Sequence, residues 1–94
     1  MKEPRQLHIA LDYDGTYTAD RGLWDEFIKL AQARGHVVKI LTMRYENYKE
    51  TIKDPPCEVI YTGRKAKQGK YLADIWIDDQ PILITADHWS IVYD

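Results

Sequence analysis

Leu7-His8-Ile9-Ala10-Leu11-Asp12-Tyr13-Asp14-Gly15-Thr16 is the stretch that decides the fold. It reads as a short buried strand that runs into two carboxylates one residue apart and then breaks at a glycine. Alternate residues of a strand point to the same side. Asp12 and Asp14 are therefore expected to project together from the carboxyl end of a strand, where open α/β sheets bind their ligands. Two like charges that close repel unless a cation lies between them or one of them carries a proton. The stretch points to a metal, a shared proton, or both.

Working outward, the polar segment Tyr17–Gly22 leads into a change of period. Leu23, Trp24, Phe27, Ile28, Leu30, Ala31 and Ala33 fall on one stripe of a helix, opposite Asp25, Glu26, Lys29 and Arg34. Gly35 ends that helix. Val37–Leu41 reads as a second strand running into Thr42-Met43-Arg44. A weaker, more polar helix is expected over Tyr45–Lys53, stopped by Asp54-Pro55-Pro56. Glu58–Tyr61 is a third strand, Arg64–Leu72 a basic and partly helical turn, and Ile75-Trp76-Ile77 a fourth strand ending in Asp78-Asp79. Ile82–Thr85 and Ser90–Tyr93 are each consistent with a further strand, with Asp87 and His88 in the loop between them. Alternating strands and helices are the βαβ rhythm of a parallel sheet covered by helices. The expectation is one α/β domain over residues 1–94, a Rossmann-like three-layer fold with a mainly parallel sheet.

Composition bounds the function. Ninety-four residues, 45% hydrophobic and 12% aromatic, suffice for one core. A net charge of −2 provides no basic field for general nucleic-acid binding. No apolar run is long enough for a membrane span or a signal peptide, so no membrane partner is expected. The single cysteine, Cys57, cannot form an internal disulfide, which fits a reducing, cytoplasmic setting.

Four consecutive strands end in polar residues: Asp12-Tyr13-Asp14, Thr42-Met43-Arg44, Thr62-Gly63 and Asp78-Asp79. In a parallel sheet those ends share one edge, so the groups converge on one crevice. The chemistry such a set suits is phosphoryl transfer. An aspartate attacks phosphorus, a hard cation such as Mg²⁺ is held by carboxylates, and hydroxyl, lysine and backbone donors hold the phosphoryl oxygens.

Asp12-Tyr13-Asp14-Gly15-Thr16, Thr42, a lysine in the Arg64–Lys70 turn and Asp78-Asp79 together resemble the four motifs of the haloacid dehalogenase (HAD) superfamily, in its phosphatase branch. The resemblance implies Asp12 as nucleophile and metal ligand, and Asp14 as general acid and then base, with its backbone carbonyl on the metal. It further implies Thr42 and Gly15 on the phosphoryl group, Lys67 (or else Lys70, with Lys65 nearby) as the neutralising lysine, and Asp78 and Asp79 at the Mg²⁺. Short connections after the first and second motifs imply a capless member with an open site, suited to a large phosphorylated substrate. Arg44, two residues after Thr42, is similar to the Ser/Thr-x-Arg of polynucleotide 3′-phosphatase domains and joins the phosphate-binding set.

Blander roles stand beside these. Thr42 could cap the helix after it, the basic run could be a solvated face, and Asp87 and His88 read better as structural. Cys57 reads as a small buried hydrophobe and the tryptophans as core. A phosphoacceptor signalling domain would need an aspartate at the end of the third strand, where Thr62-Gly63 stands. A catalytically inactive binding or scaffold protein is the remaining alternative. A homodimer, with Tyr45 and Tyr48 as contacts, is a further possibility.

Overall fold

The computed structural model describes residues 4–88. Its elements are β1 (His8–Asp12), α1 (Arg21–Ala33), β2 (Val37–Thr42), β3 (Val59–Tyr61), β4 (Ile75–Ile77) and α2 (Ile82–Thr85), with single 3₁₀ turns at Tyr17–Ala19 and Lys67–Gly69. The four strands form one sheet in the order β3-β2-β1-β4, and all its pairings are parallel. The chain steps outward from β1 to β3 and then returns past β1 to place β4 on its other side. The direction of winding thus reverses between β1 and β4, the kind of position at which open α/β sheets form their crevice.

Strand alternation assigns the two faces. Ile9, Leu11, Val38 and Ile40 pack with Ile28 and Ala31 of α1, with Trp24 and Phe27 half-buried against them. Leu11 and Ile40 are fully buried, and truncating either to alanine should cost about 3 kcal/mol. His8 and Lys39 alternate with these residues, and both meet Tyr71, through a 3.2 Å contact of His8 Nδ1 with the phenol and a Lys39 ammonium over its ring. The segment between β3 and β4 therefore crosses the face opposite α1.

The helix begins two residues before the expected Leu23, because the Asp20 carboxylate accepts the Leu23 N–H at 3.1 Å and caps it. Gly35, at φ +88°, ends it in a left-handed turn in which the His36 N–H reaches Ala31 O. The apolar stripe is narrower than its sequence pattern. Leu23 and Leu30 are exposed.

Two expected elements differ. Residues 45–53 form turns instead of a helix. Asn47 Oδ1 accepts the N–H groups of Lys49 and Glu50, and the Glu50 carboxylate accepts the Tyr45 N–H. These side chains take backbone donors that a helix would use. Ile82–Thr85 is one helical turn where a strand was expected. Pro81 at φ −58°, ψ −23° sets the helical direction, and Leu83 alone of its residues is buried. The expected strand at Ser90–Tyr93 lies outside the described residues, as does Trp89. Among the described residues no helix is long and apolar enough to cross a membrane.

Candidate active site

β1 ends at Asp12, its carboxylate buried at the carboxyl edge of the sheet. β4, pairing on one side of β1, ends one residue before Asp78. The Lys67–Gly69 turn reaches over this edge and places Lys67 between the two. Its ammonium donates to Asp12 Oδ1 at 2.7 Å and to Asp78 Oδ2 at 2.5 Å, with the lysine side chain only 1% exposed. The sequence left three lysines open for this position, and the structure brings Lys67 to it. Lys65 and Lys70 stay exposed at the surface.

The turn after β1 completes the arrangement. Thr16 Oγ1 lies 2.9 Å from Asp12 Oδ2 and 3.1 Å from Asp79 Oδ1, and it accepts the Asp79 N–H at 3.0 Å. A hydroxyl has one proton to give, so it serves one of the two carboxylates at a time. Gly15 sits at φ +87°, and a Cβ on it would lie 2.6 Å from Asp79 Oδ2. Only glycine satisfies both demands. Asp12, Asp78 and Asp79 each offer an oxygen within 4.8 Å of the others, a cluster able to hold a metal ion. A cavity of about 390 Å³ opens beside it, walled by Gly15, Thr16, Asp78 and Asp79 among others.

Burial dominates the electrostatics. It pushes the Asp12 carboxyl up to about 7, reinforced by the neighbouring acids and opposed by the Lys67 ammonium. One ammonium faces three carboxylates, and a divalent cation would balance that set.

Asp14 stands apart from this cluster. β1 ends at Asp12, so strand alternation does not extend to Asp14. Its carboxylate is gripped by Arg44, Nε to Oδ2 at 2.9 Å and Nη2 to Oδ1 at 2.7 Å. Arg44 also donates to Glu50 O and lies over the Tyr13 ring, 5.3 Å from its centroid.

The remaining candidates fall as follows. Thr42, 1% exposed, accepts the Arg44 N–H through Oγ1 at 3.3 Å. It thereby shapes the turn after β2, where no helix follows for it to cap. The Gly15 N–H is engaged by Thr18 Oγ1 at 2.9 Å. Asp87 supports the lysine-bearing turn by accepting the Ala66 N–H at 2.7 Å. Cys57 is half-buried against the core, and burial pushes its thiol up to about 11, away from nucleophilic use.

Sequence reasoning missed the Arg64–Glu50 pair, which braces the edge from behind. The two terminal guanidinium nitrogens, Nη1 and Nη2, each donate to the Glu50 carboxylate at 2.8 Å, and Nη1 also donates to Met43 O at 3.0 Å. The sequence pattern places Arg64 in a solvated basic run, whereas in the fold it is 7% exposed. Nothing in the local pattern distinguishes it from its lysine neighbours.

Neither family models, nor curated proteins, nor solved structures returned a match to this chain.

Proposed function

We propose that the chain is a Mg²⁺-dependent phosphomonoester hydrolase of the HAD type, built without a cap domain and acting through an aspartyl-phosphate on Asp12. The observation that carries this reading is the Lys67 ammonium set between Asp12 and Asp78 at the winding reversal of the sheet, with Thr16 tying Asp79 into the same cluster. The donor set fits a hard cation, because it offers carboxylate oxygens and no nitrogen or sulfur ligand. Asp12, Asp78 and Asp79 would hold Mg²⁺, which supplies charge neutralisation for the phosphoryl oxygens.

In this mechanism an Asp12 oxygen forms a bond to phosphorus as the bond from phosphorus to the ester oxygen breaks. Asp14 delivers a proton to the departing oxygen. Asp14 then takes a proton from the water that attacks phosphorus, releasing phosphate and restoring the Asp12 carboxylate. Lys67 lies against the nucleophile and offsets charge that builds on the transferring group. Asp14 can act only when Arg44 releases its two oxygens. An incoming phosphoryl group, which matches the same planar fork, provides the alternative partner for Arg44.

The test is phosphate release from an aryl phosphate with Mg²⁺ and with chelator, wild type beside Asp12→Asn. Turnover that needs the metal and vanishes in the variant supports the reading. Equal turnover in the variant removes Asp12 as the nucleophile.

A further inference from the structure

α1 packs on β1 and β2 through Ile28 and Ala31, which leaves its flank open on the side of the outer strand β4. Ile75 and Ile77 of β4 lie opposite Ile9 and Leu11 in the sheet, so they point to the same face as α1. Ile75 nevertheless stays 41% exposed. Between β4 and the helix flank runs a cavity of about 300 Å³, walled by Phe27, Leu30, Arg34, His36, Ile75 and Ile77 among others. Ile77 also walls the cavity beside the carboxylate cluster, as do Asp20 and Leu23. The two cavities thus follow one another along the same flank of α1.

Two features of this groove point to its occupant. The first is the helix flank. Leu23, Phe27, Leu30 and Arg34 recur at intervals of four, three and four residues, the seam by which one helix packs along another. Leu23 is 53% and Leu30 62% exposed. With Phe27 and Ile75 they make a contiguous apolar patch of the kind that marks a contact surface. The second feature is charge. Asp20, Asp78 and Asp79 stand at the end of the groove where α1 starts, and Arg34 and His36 stand where it finishes. A surface acidic at one end and basic at the other complements itself when turned end for end, the relation that a two-fold axis creates. A parallel pair would instead set Arg34 against Arg34 and Asp20 against Asp20.

We propose that a second copy of this chain docks in the groove, the two α1 helices packing antiparallel across a two-fold axis at Phe27. In that register Leu23 meets the second copy's Leu30, and Asp20 meets the second copy's Arg34 at the cavity beside Asp78 and Asp79. The helix of each copy then covers the exposed Ile75 of the other. The inference does not use the phosphohydrolase reading, and its test reads association alone.

The test is sedimentation equilibrium of the whole chain from about 1 µM to about 1 mM, a range that brackets a modest interface. The apparent mass is expected to double across that range. Leu30→Glu, at an exposed helix position, should keep the melting temperature of the dilute protein and raise the dimer dissociation constant about tenfold or more. Arg34→Glu should weaken the dimer too, because like charges replace each opposed pair. Disulfide trapping under a mild oxidant reads the register. Leu23→Cys mixed with Leu30→Cys should give a cross-link between the two α1 peptides, mapped by mass spectrometry. Monomer mass at every concentration overturns the proposal, and any other occupant of the groove would give that result. A dimer that survives Leu30→Glu, or cross-linking of Leu23→Cys to itself in place of Leu30→Cys, overturns it as well.

Discussion

The Arg44 guanidinium holds both carboxylate oxygens of Asp14, at 2.9 and 2.7 Å, and so occupies the residue assigned to proton transfer. The pair links the turn after β1 to the turn after β2, and it is only partly buried, with side chains 14% and 31% exposed. Its value lies in orientation more than in stability, since pairs this accessible contribute about 1 kcal/mol or less.

Arg44→Lys should therefore fold normally and still lose activity. A lysine is a point charge without the planar fork, so it cannot make two parallel bonds to Asp14 or to a phosphoryl group. We expect kcat/KM to fall by about 10- to 100-fold, the scale of one misplaced charge-assisted contact, with little change in melting temperature. Steady-state kinetics beside thermal melts would check this. A variant with wild-type kcat/KM would show that Arg44 serves only the fold.

Lys67→Met should damage the metal-free protein more than any surface change. It leaves Asp12 and Asp78 buried without their shared cation, and removing one partner of a buried ionic group costs about 3–5 kcal/mol. Urea unfolding in chelator reads the loss, and added Mg²⁺ should restore part of it. Unchanged unfolding in chelator would mean the carboxylates are neutral without the lysine.

Gly15→Ala and Gly35→Ala form a matched pair, at φ +87° and +88°. Both pay for a left-handed alanine, about 1–2 kcal/mol. At Gly35 a Cβ meets nothing within 4 Å, whereas at Gly15 it collides with the Asp79 carboxylate. Similar melting temperatures with weaker Mg²⁺ binding only in Gly15→Ala would place Asp79 at the metal. Equal Mg²⁺ binding in both would exclude it.

Acidity should act on stability in a defined sense. Burial holds the folded-state Asp12 carboxyl at about 7, above its ordinary value of 3.8, so between those pH values the folded chain binds more protons than the unfolded one. Its contribution is complete below about pH 4 and is lost as pH rises through 7. Metal-free protein should thus lose stability over that window, and Asp12→Asn should flatten the loss. Mg²⁺ requires the carboxylate, so its affinity should rise with pH over the same range. Glu50, held down to about 2 chiefly by its hydrogen bonds from Arg64, acts oppositely. Its contribution is present above about 4.5 and is lost as pH falls through 2. Melting curves across pH, with and without Mg²⁺, separate the two groups.

The strand order of chemistry was legible because it depends on local pattern. A β-branched or aliphatic run followed by acids marks a strand end wherever it falls, and β1, β2, β3 and β4 appear at their expected places. Asp12, Asp78 and Asp79 meet because a parallel sheet brings such ends to one edge. Side-chain competition was not legible. Asn47 and Glu50 divert the backbone donors of a segment whose composition suits a helix, and Pro81 turns an apolar run into a helical turn. Arg64 was equally hidden, since burial of one basic residue among several is decided by distant partners.

The most direct test of the central claim is a single-turnover reaction with an aryl phosphate and Mg²⁺, quenched in acid and mapped by peptide mass spectrometry. The account predicts a transient phosphoryl group on the peptide that contains Asp12, absent from Asp12→Asn. Release of phosphate at full rate with no phosphoryl group passing through Asp12 would contradict it.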